Sequence, residues 1–465
     1  MPGISEQAAR WLAGLAWEDI PGEVVESVKL QILDLVGVML AARSDKLVLD
    51  VRAGLLENDA GRGASILGHA GETSLANAAM VNGVMAAVYE FDDTHVESSI
   101  HATSASVSVA IPACQQMNAS GKQLITAVLA GNELASRLGI VSSARLYSLG
   151  IHPTGVFGVF AAAYALAKAR ALPAQAIVNA IGICGSLSAA LMGSWEDGTA
   201  AKSLHVGLAA SNAVKAVNLA EHGVTGPAGV FDGRYNWYRA HVQDPATRFR
   251  FDALTDGLGS NWETLNIASK AYPSAFPIHP YIDAAFHLQT QHKLAITDIE
   301  QIDCYVTAAR VATLCEPLSE KLRPLTAWHA RVSLQHSVAE ALLTGRSDKN
   351  AYAPEHLNNP VINALAERVK YVVDAQEGVD KSRSGGRVSM RMRDGRVLGH
   401  TVEHMRGTRR NPLHRDDFIT KFRSNTGDVL PPALIAQTIA GLLDLERCAN
   451  VAPLFARLAS PATAR

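Results

Sequence analysis

Helical spacing of small and apolar residues dominates the chain from Ile20 to about Gly259, and strand patterns are almost absent there. The clearest helix is predicted at Val24–Ala42, where large apolar residues recur every three or four positions: Val25, Val28, Ile32, Leu35 and Met39. Further helices are predicted at 123–138, 161–171, 176–191 and 201–222, the last ending before Gly223. Alanine, glycine and serine are frequent in these segments, so the helices can pack closely around one core.

The pattern changes near Leu265, where strand-like alternation begins. Strands are predicted at 299–308, 369–373, 386–392 and 396–402, with Asp394-Gly395 as a hairpin turn. Helices are predicted among them at 280–292, 331–343 and 360–369, and after Pro412 at 415–422 and 432–443. We therefore predict a mainly α fold with two domains. A large all-helical domain spans 1–265 and is completed by 410–465, and a smaller α+β domain with an antiparallel sheet spans 266–409.

Net charge, apolar run length and cysteine spacing exclude several classes of protein. The 465-residue chain has a net charge of −2, so it lacks the basic field that binds nucleic acid or an anionic membrane. Charged residues come early at Glu6 and Arg10, and no signal peptide is expected. The longest apolar run, 176–193, is too short for a comfortable membrane span and is predicted to be a central core helix. Five scattered cysteines without a CxxC pair indicate neither zinc nor disulfides, and favour a cytoplasmic location.

Acidic and imidazole side chains follow the apolar helix predicted at Leu75–Tyr89. The chain continues as Glu90-Phe91-Asp92-Asp93-Thr94-His95, and His101 comes six residues later. Three carboxylates at the end of an apolar helix are costly to bury unless they have partners or a chemical role. Helix capping by Asp, Thr or Ser accounts for the same residue types. Both interpretations stay open on the residues alone.

Three further segments bring ionisable side chains to positions where chemistry is possible. His152 lies in a glycine- and proline-containing loop before an apolar helix, whereas Lys202 and His205 share one face of a helix of small residues. Lys270 and Ser274 lie at the predicted domain junction, and clefts between domains are favoured ligand sites. The structural alternatives are a helix-end hydrogen bond for His152, a lysine that reaches water for Lys202, and an ordinary linker around Lys270.

Together these segments offer cations, imidazoles and carboxylates, and the sequence contains no phosphate-binding loop, serine nucleophile elbow or dinucleotide fingerprint. Lys and His hold carboxylates, and imidazoles move protons near neutral pH. The chemistry that fits is proton transfer next to a carboxylate of a small molecule, without metal or cofactor: dehydration, decarboxylation or epimerisation. A helical dimer that binds a carboxylate without turning it over is the alternative from another class.

The ordered set of motifs resembles the MmgE/PrpD family, whose members include dehydratases, decarboxylases and epimerases. The resemblance covers nearly the whole chain and is carried by Asn82-Gly83, Glu90–His95 with His101, Gly150–Gly155, Lys202–Gly207, Gly223–Gly233, Lys270–Pro273 with His279 and Asp283-Ala284, Ala330–Ala341, Asn411-Pro412 and Lys421-Phe422. It implies a helical domain built from both chain ends, an α+β lid domain and a homodimer. It also implies an active site in the cleft between the domains.

The resemblance also implies roles for individual residues. The predicted catalytic residues are Asp93, His101, His152 and Lys202, and the predicted substrate-binding residues are Thr94, His205, Lys270, Ser274 and His336. The assignment of the active-site carboxylate stays open among Glu90, Asp92 and Asp93, as does the choice of the histidine that acts as base.

This chain departs from the family's decarboxylases at three places. The interval from Thr94 to His101 is one residue longer, Ala275 stands where they carry a histidine, and His336 stands where they carry a tyrosine. These departures favour another member of the family. We therefore predict a cofactor-independent lyase that acts on a small di- or tricarboxylic acid, with dehydration first and epimerisation or decarboxylation as the alternatives.

Overall fold

The computed structural model describes residues 3–142, 145–374 and 385–459, and it confirms a mainly α fold with a smaller α+β region. A first set of helices shares one hydrophobic core, which buried side chains from Phe418 to Leu458 also join. These helices are Ile4–Gly14, Gly22–Ala42, Lys46–Leu56, Leu75–Ala87, Ala102–Gln116, Gly121–Ser142, Arg145–Ser148, Pro153–Ala169, Ala174–Cys184, Ala201–Glu221, Trp237–Val242, Arg415–Thr426, Pro432–Leu443 and Ala452–Ala456. A short helix, Ser194–Asp197, lies between Ala174–Cys184 and Ala201–Glu221 in the chain.

Two glycines allow two helices of this core to touch through their backbones. The Leu75–Ala87 and Ala201–Glu221 helices meet at Gly83 and Gly207. A Cβ atom at Gly83 would lie 2.5 Å from Cα of Gly207, and one at Gly207 would lie 2.3 Å from the carbonyl oxygen of Met80. Only glycine fits such backbone contact, so the crossing is fixed. It holds the end of one helix, where the acidic stretch begins, against the start of the other, where Lys202 lies.

A second hydrophobic core, from Tyr272 to Met392, lies around a four-stranded sheet. The strands are arranged in the order Val369–Val373, Ile299–Val306, Gly386–Met392 and Val397–Val402. The accompanying helices are His279–His292, Ala308–Leu314, Leu318–Leu322, Ala327–Arg331, Leu334–Thr344, Pro354–Leu357 and Pro360–Ala366. The presence of two separate cores agrees with the prediction of two domains. The exact domain boundaries at 265 and 410 stay a prediction.

The prediction of an antiparallel sheet was wrong for one strand. The Val369–Val373 strand runs parallel to Ile299–Val306, whereas the other two pairings are antiparallel. The chain between the parallel strands contains several short helices, which carry it back to the starting edge of the sheet. The predicted hairpin turn is confirmed, since Gly395 adopts φ 86° and its N–H donates to the carbonyl oxygen of Met392.

Several predicted helix boundaries were wrong by more than a turn. The helix expected from 161 begins at Pro153, and the helix expected to reach 191 ends at Cys184. The glycine- and proline-containing loop predicted before 161 includes Gly155, which lies inside the helix because a neighbouring helix packs against it. The helix expected at 331–343 is two helices, Ala327–Arg331 and Leu334–Thr344, and the side chain of Ser333 caps the second.

The Gly121–Ser142 helix is the one helix of the described chain that is long and apolar enough to cross a membrane by length and composition. The apolar 18-residue stretch of this helix is entirely buried inside the fold. A core helix of a folded domain passes the same test.

Candidate active site

A short β-pairing joins the acidic stretch after the Leu75–Ala87 helix to the segment that carries Lys270. Thr94 pairs with Ala268 in antiparallel register, so the two segments run side by side. Two residues beyond Ala268, the ammonium of Lys270 donates to the backbone carbonyl oxygen of Glu90 at 2.8 Å. This pairing explains why residues about 180 positions apart meet at one place.

The Glu90 carboxylate lies between two buried lysines. Its Oε2 is 3.3 Å from Nζ of Lys270, and its Oε1 forms a close ion pair with Nζ of Lys202. Glu90 has φ 52°, a left-handed conformation that residues other than glycine adopt infrequently, and such strain concentrates at functional sites. Among the three carboxylates left open by the sequence, Glu90 is therefore the one held between the cations.

Asp92 links the lysines to the imidazoles. Its Oδ1 lies 3.7 Å from Nζ of Lys270, and its Oδ2 accepts a hydrogen bond from the Ser104 hydroxyl at 2.6 Å. The same Oδ2 lies 3.5 Å from Nδ1 of His101. The Asp92 carboxylate thus contacts both a lysine and an imidazole. We refer to the buried lysines, carboxylates and imidazoles of this region as the cluster: Glu90, Asp92, His101, His152, Lys202, His205 and Lys270.

The His101 ring is held in one orientation by the chain beside it. Its Nδ1 lies 2.5 Å from the backbone carbonyl oxygen of Asp93 and 3.1 Å from Oγ1 of Thr94. A carbonyl oxygen only accepts, so Nδ1 carries the proton that it donates, and the lone pair of the neutral ring lies at Nε2. Thr94 and His101, which the sequence assigned to the site, thus lie side by side.

Two further imidazoles of the predicted site, those of His152 and His205, form a pair. Nδ1 of His152 lies 3.0 Å from Nδ1 of His205, and the rings of His152 and His101 have centroids 6.5 Å apart. A Cβ atom at Gly155 would lie 3.0 Å from Cβ of His205, so the glycine lets the two helices bring the histidines together. The Trp195 ring packs against His152 with centroids 6.0 Å apart.

Three helix N-termini converge on this cluster. His101 and His152 each directly precede a helix, and Lys202 lies in the first turn of a third. The helices are Ala102–Gln116, Pro153–Ala169 and Ala201–Glu221. Helix N-termini carry partial positive charge and free N–H groups, so the arrangement adds to the attraction of the lysines for an anion.

Burial is the largest cause of the pKa shifts in the cluster. It lowers the pKa of Lys202 well below the ordinary value, with further lowering by neighbouring cations, and it lowers the pKa of Lys270 although adjacent carboxylates oppose it. Burial also lowers the pKa of His101, that of His152 more strongly, and that of His205 to about 4. The three imidazoles are therefore neutral near pH 7.

Asp93, which the sequence placed among the catalytic residues, points elsewhere. Its carboxyl group is fully buried, and burial raises its pKa to about 8, opposed by the Thr103 hydroxyl and reinforced by the carboxylates of Asp92 and Asp34. The structure gives no ion pair between Asp93 and any described lysine. Its contribution to the cluster is the backbone carbonyl that orients His101.

Lys421, from the Arg415–Thr426 helix, contacts the backbone of the two segments that carry the charged residues of the cluster. Its ammonium pairs with Oδ1 of Asp34 at 2.7 Å and donates to the backbone carbonyl oxygens of Phe91 and Lys270 at 3.0 and 2.8 Å. The C-terminal part of the chain therefore fixes the two segments that carry the charged residues.

The guanidinium of Arg331 reaches the same region from the α+β side. It lies over the rings of Tyr89 and Tyr352, 5.1 and 5.5 Å from their centroids, and its charge lowers the pKa of both Lys202 and Lys270. Tyr89 immediately precedes Glu90, so Arg331 faces the end of the helix that leads into the acidic stretch.

Two predicted substrate-binding residues lie apart from the lysines and imidazoles. Ser274 is buried beside Tyr352; burial raises the pKa of that phenol to about 12, and the Ser274 hydroxyl opposes the rise. His336 lies beyond Tyr352, with Nε2 3.2 Å from Oε2 of Glu340, and that carboxylate also pairs with His356 at 2.7 Å. No contact joins His336 to another predicted site residue in the described part of the chain.

Two surface cavities differ in their relation to this cluster. A cavity of about 460 Å³ lies over the sheet, beside His287 and His400, and shares no lining residue with the cluster. A second cavity of about 410 Å³ is lined by Met192, Trp195 and His329 among others, and Trp195 also packs against His152. We judge the second cavity to be the one related to the chemistry, because it adjoins a buried, charged cluster.

Within 3–142, 145–374 and 385–459, no group of three His, Cys, Asp or Glu side chains is arranged to hold a metal ion. Lys202 and Lys270 instead pair with the carboxylates of Glu90 and Asp92. The arrangement combines a cationic region with neutral imidazoles, which is what proton transfer beside a carboxylate requires.

Sequence reasoning left out two cations of this region. Lys421 was part of a family motif but not of the predicted site, and Arg331 lay inside a predicted helix. The signal for Lys421 was present, since it belongs to the helical return after Pro412. Arg331 also lies in a segment that carries the family resemblance, Ala330–Ala341, but a single arginine at a helix end is common on protein surfaces, so its residue type did not indicate burial.

The fold and site thus define a mainly helical protein with a buried cluster of lysines, carboxylates and imidazoles. The MmgE/PrpD N-terminal domain model matches residues 6–250, and the MmgE/PrpD C-terminal domain model matches residues 272–445. The chain belongs to the MmgE/PrpD family. The resemblance inferred from the motifs is confirmed.

Curated relatives carry one activity name. The chain is 25% identical to cis-aconitate decarboxylase of Aspergillus terreus over 483 residues, which cover 99% of this chain and 96% of the relative. It is 24% identical to the cis-aconitate decarboxylase-like protein oryM of Aspergillus oryzae over 472 residues, 97% of this chain and 96% of the relative. It is 25% identical to cis-aconitate decarboxylase of Homo sapiens over 394 residues, 81% of this chain and 79% of the relative.

Proposed function

We propose that this protein is a lyase that acts on a small di- or tricarboxylic acid by proton transfer at the carbon next to a carboxylate. The observation that carries the proposal is the placement of neutral imidazoles beside buried cations. Membership of the MmgE/PrpD family and the names of the curated relatives support a lyase. The chain's own side chains supply every group that the proposed proton transfers use.

The cationic region is the proposed carboxylate-binding part of the site. Lys202 and Lys270 are buried, and both share the single carboxylate of Glu90. A substrate carboxylate bound next to them gains charge-assisted hydrogen bonds in a dry environment, where such bonds are strong. The same cations stabilise the negative charge that develops on the substrate carboxylate when the adjacent carbon loses a proton.

His101 is the proposed base. Its Nδ1 proton is committed to the Asp93 carbonyl oxygen, so a neutral ring presents the Nε2 lone pair. Burial lowers its pKa, which keeps the ring neutral and able to accept a proton below pH 7. His152 faces it across 6.5 Å, and its Nε2 has no hydrogen-bond partner among the described residues.

Dehydration is our first choice of reaction because the site offers a base and a separate acid. In the proposed step, His101 takes the proton from the carbon next to the carboxylate, the carbon–carbon double bond forms, and the carbon–oxygen bond breaks. Lys202 gives a proton to the departing oxygen, which leaves as water. The lowered pKa of Lys202 makes it a stronger acid than an ordinary lysine.

Decarboxylation is the second candidate, and the comparisons favour it. Each of the relatives described above is named for cis-aconitate decarboxylase or likeness to it. In that reaction a carboxylate leaves as carbon dioxide, the bonding electrons remain on the substrate carbon, and a buried acid protonates that carbon. The absence of histidine at Ala275 and of tyrosine at His336 still weighs against it for this chain.

Incubation in deuterated water with a panel of hydroxy di- and tricarboxylic acids and their unsaturated counterparts tests the proposal. Gain or loss of water with deuterium at one carbon, followed by NMR, supports dehydration, whereas release of carbon dioxide supports decarboxylation. Deuterium exchange without either net change indicates epimerisation. Saturable binding with no exchange in any acid would instead identify a carboxylate-binding protein. His101→Asn is the matched variant, since its amide N–H can replace Nδ1–H while the base is lost.

A further inference from the structure

The described chain has two buried arginines, Arg137 and Arg331, and their surroundings differ. The Arg137 guanidinium pairs with Glu133 at 2.7 Å. It also donates to backbone carbonyl oxygens, among them those of Asp256 and Asn261 at 2.7 and 2.6 Å. Its charge and its donors are satisfied by the fold, which is the ordinary state of a buried arginine.

Arg331 lacks such partners although it is only 5% exposed. Its Nε is buried without a hydrogen-bond acceptor, and within the described residues no carboxylate lies within ion-pair distance of the guanidinium. Its neighbours are the faces of Tyr89 and Tyr352. Asp45 and Glu340 act on it only at longer range. Two aromatic faces compensate a buried cation only in part.

The buried carboxylates of the cluster do not provide a partner for Arg331 either, because they are paired with lysines. Among the buried cations, Lys421 has Asp34, and Lys202 and Lys270 share Glu90 and Asp92. The remaining buried carboxyl group of the region, Asp93, has a pKa raised to about 8 and is neutral near pH 7. The region therefore carries one positive charge more than its carboxylates balance, and that charge is Arg331.

We propose that Arg331 binds a second carboxylate of the substrate and so restricts the enzyme to acids with at least two carboxylates. This inference rests on the proposed function, in which Lys202 and Lys270 bind the carboxylate next to the reacting carbon. A guanidinium forms two parallel hydrogen bonds with a carboxylate, which fixes position as well as charge.

The location of Arg331 fits this role. It ends the Ala327–Arg331 helix, and its backbone carbonyl oxygen accepts a hydrogen bond from the N–H of Ala275 at 2.9 Å. The bond holds the backbone of Arg331 beside the segment that follows Lys270.

Binding of three inert acids by calorimetry tests this inference: tricarballylate, methylsuccinate and butyrate, with three, two and one carboxylates. Wild-type protein is expected to prefer the first two over butyrate by about ten- to a hundredfold. Arg331→Met is expected to lose most of this preference while butyrate binding stays unchanged. Arg331→Lys keeps the charge but not the paired hydrogen bonds, and an intermediate preference is expected.

Arg323→Met is the matched control, because that arginine is exposed and pairs with Glu367. It is expected to bind all three acids as wild type does. Removal of the unpaired Arg331 charge is expected to leave the melting temperature unchanged or higher, so loss of binding cannot be ascribed to unfolding.

Two outcomes would overturn the inference in distinguishable ways. A preference for multiple carboxylates that survives in Arg331→Met rejects the role of Arg331 and leaves the proposed function intact. Wild-type protein that binds none of the three acids rejects the proposed function, and the role of Arg331 with it.

Discussion

Nδ1 of His101 lies 2.5 Å from the backbone carbonyl oxygen of Asp93, and this contact decides which nitrogen of the ring can act as a base. The carbonyl cannot donate, so the proton stays on Nδ1, and Nε2 carries the lone pair. The orientation comes from the backbone rather than from a carboxylate side chain. It therefore does not change with the protonation of Asp93.

The first prediction concerns the acid limb of the pH profile. Burial lowers the pKa of His101, so the neutral ring persists below the ordinary histidine value of about 6.5. We expect kcat/KM to stay high as pH falls through 6.5 and to decline only at lower pH, where the ring gains a proton. In His101→Asn we expect kcat/KM to fall by about 10²- to 10⁴-fold at neutral pH, and the difference from wild type should shrink at low pH, where the wild-type ring gains a proton.

His222→Asn is the control for this experiment, because His222 is exposed and bonds only to the end of its own helix. It is expected to reproduce the wild-type profile. An acid limb centred above pH 6.5, or a His101→Asn variant with wild-type kcat/KM, would rule out His101 as the base.

The second prediction concerns the pair of Lys202 and Glu90. Lys202→Met keeps the length of the side chain and removes its charge, while Glu90 retains Lys270. We expect kcat/KM to fall about ten- to a hundredfold or more through lost binding of substrate and transition state. We expect the double variant Lys202→Met, Glu90→Gln to be at least as stable as Lys202→Met alone, because it removes both members of a buried ion pair. Activity should remain low in both.

Measurement of urea unfolding together with kinetics separates a role of Lys202 in folding from a role in the reaction. A residue needed only for folding would lose stability in the single variant and regain both stability and activity in the double variant. Recovery of activity in the double variant would therefore remove Lys202 from the proposed mechanism.

The sequence predicted the architecture well because periodicity reports burial. The helical spacing at Val24–Ala42 and the alternation at Gly386–Met392 each describe a face that meets a core, and both elements are observed. The parallel pairing of Val369–Val373 was not predictable in this way, since the strand pattern does not encode the direction of its partner. The early start of the Pro153–Ala169 helix was missed because a glycine in a tight helix contact resembles a glycine in a loop.

The site was predicted less completely, for a different reason. Motif order identified His101, His152, Lys202 and Lys270, and the structure brings them into one buried cluster. Which of three adjacent acidic residues faces the lysines depends on the backbone turn at Glu90, whose positive φ has no signature in the sequence. The assignment of roles to these residues stays a prediction.

The third prediction is that the protein is a homodimer. Leu208 and Leu219 are exposed by 45% and 46% and lie three turns apart on one side of the Ala201–Glu221 helix. Light scattering at micromolar concentration is expected to give the mass of two 49.4 kDa chains. If this side forms the contact, Leu208→Asp combined with Leu219→Asp shifts the protein toward the monomer, because a charge is costly in an apolar interface.

Leu325→Asp is the matched control for the dimer, since Leu325 is also exposed but lies in the α+β part of the chain. It is expected to keep the wild-type mass. A wild-type mass of a single chain would contradict the prediction of a dimer, and an unchanged mass in the double leucine variant would place the interface elsewhere.

The fourth prediction concerns Asp93 and the pH dependence of stability. Burial raises the pKa of Asp93 to about 8 in the folded protein, whereas an unfolded aspartate titrates near the ordinary value of about 3.9. The folded state therefore holds a proton that the unfolded state has lost between these two values. Its contribution to stability is complete at acid pH and is lost as pH rises toward 8. Asp93→Asn has no such titration, so its stability relative to wild type should rise over that interval and level off above it.

Urea unfolding of wild type and Asp93→Asn at pH 5, 6, 7 and 8.5 measures this difference directly. The expected change in relative free energy of unfolding is on the order of several kcal/mol across the interval, with the variant gaining as pH rises. Kinetics at pH 7 should change much less than in His101→Asn, because the variant keeps the backbone carbonyl that orients His101. An Asp93 that is ionised and stabilised by Lys421 would give the opposite sign, since the variant would then lose stability relative to wild type at higher pH.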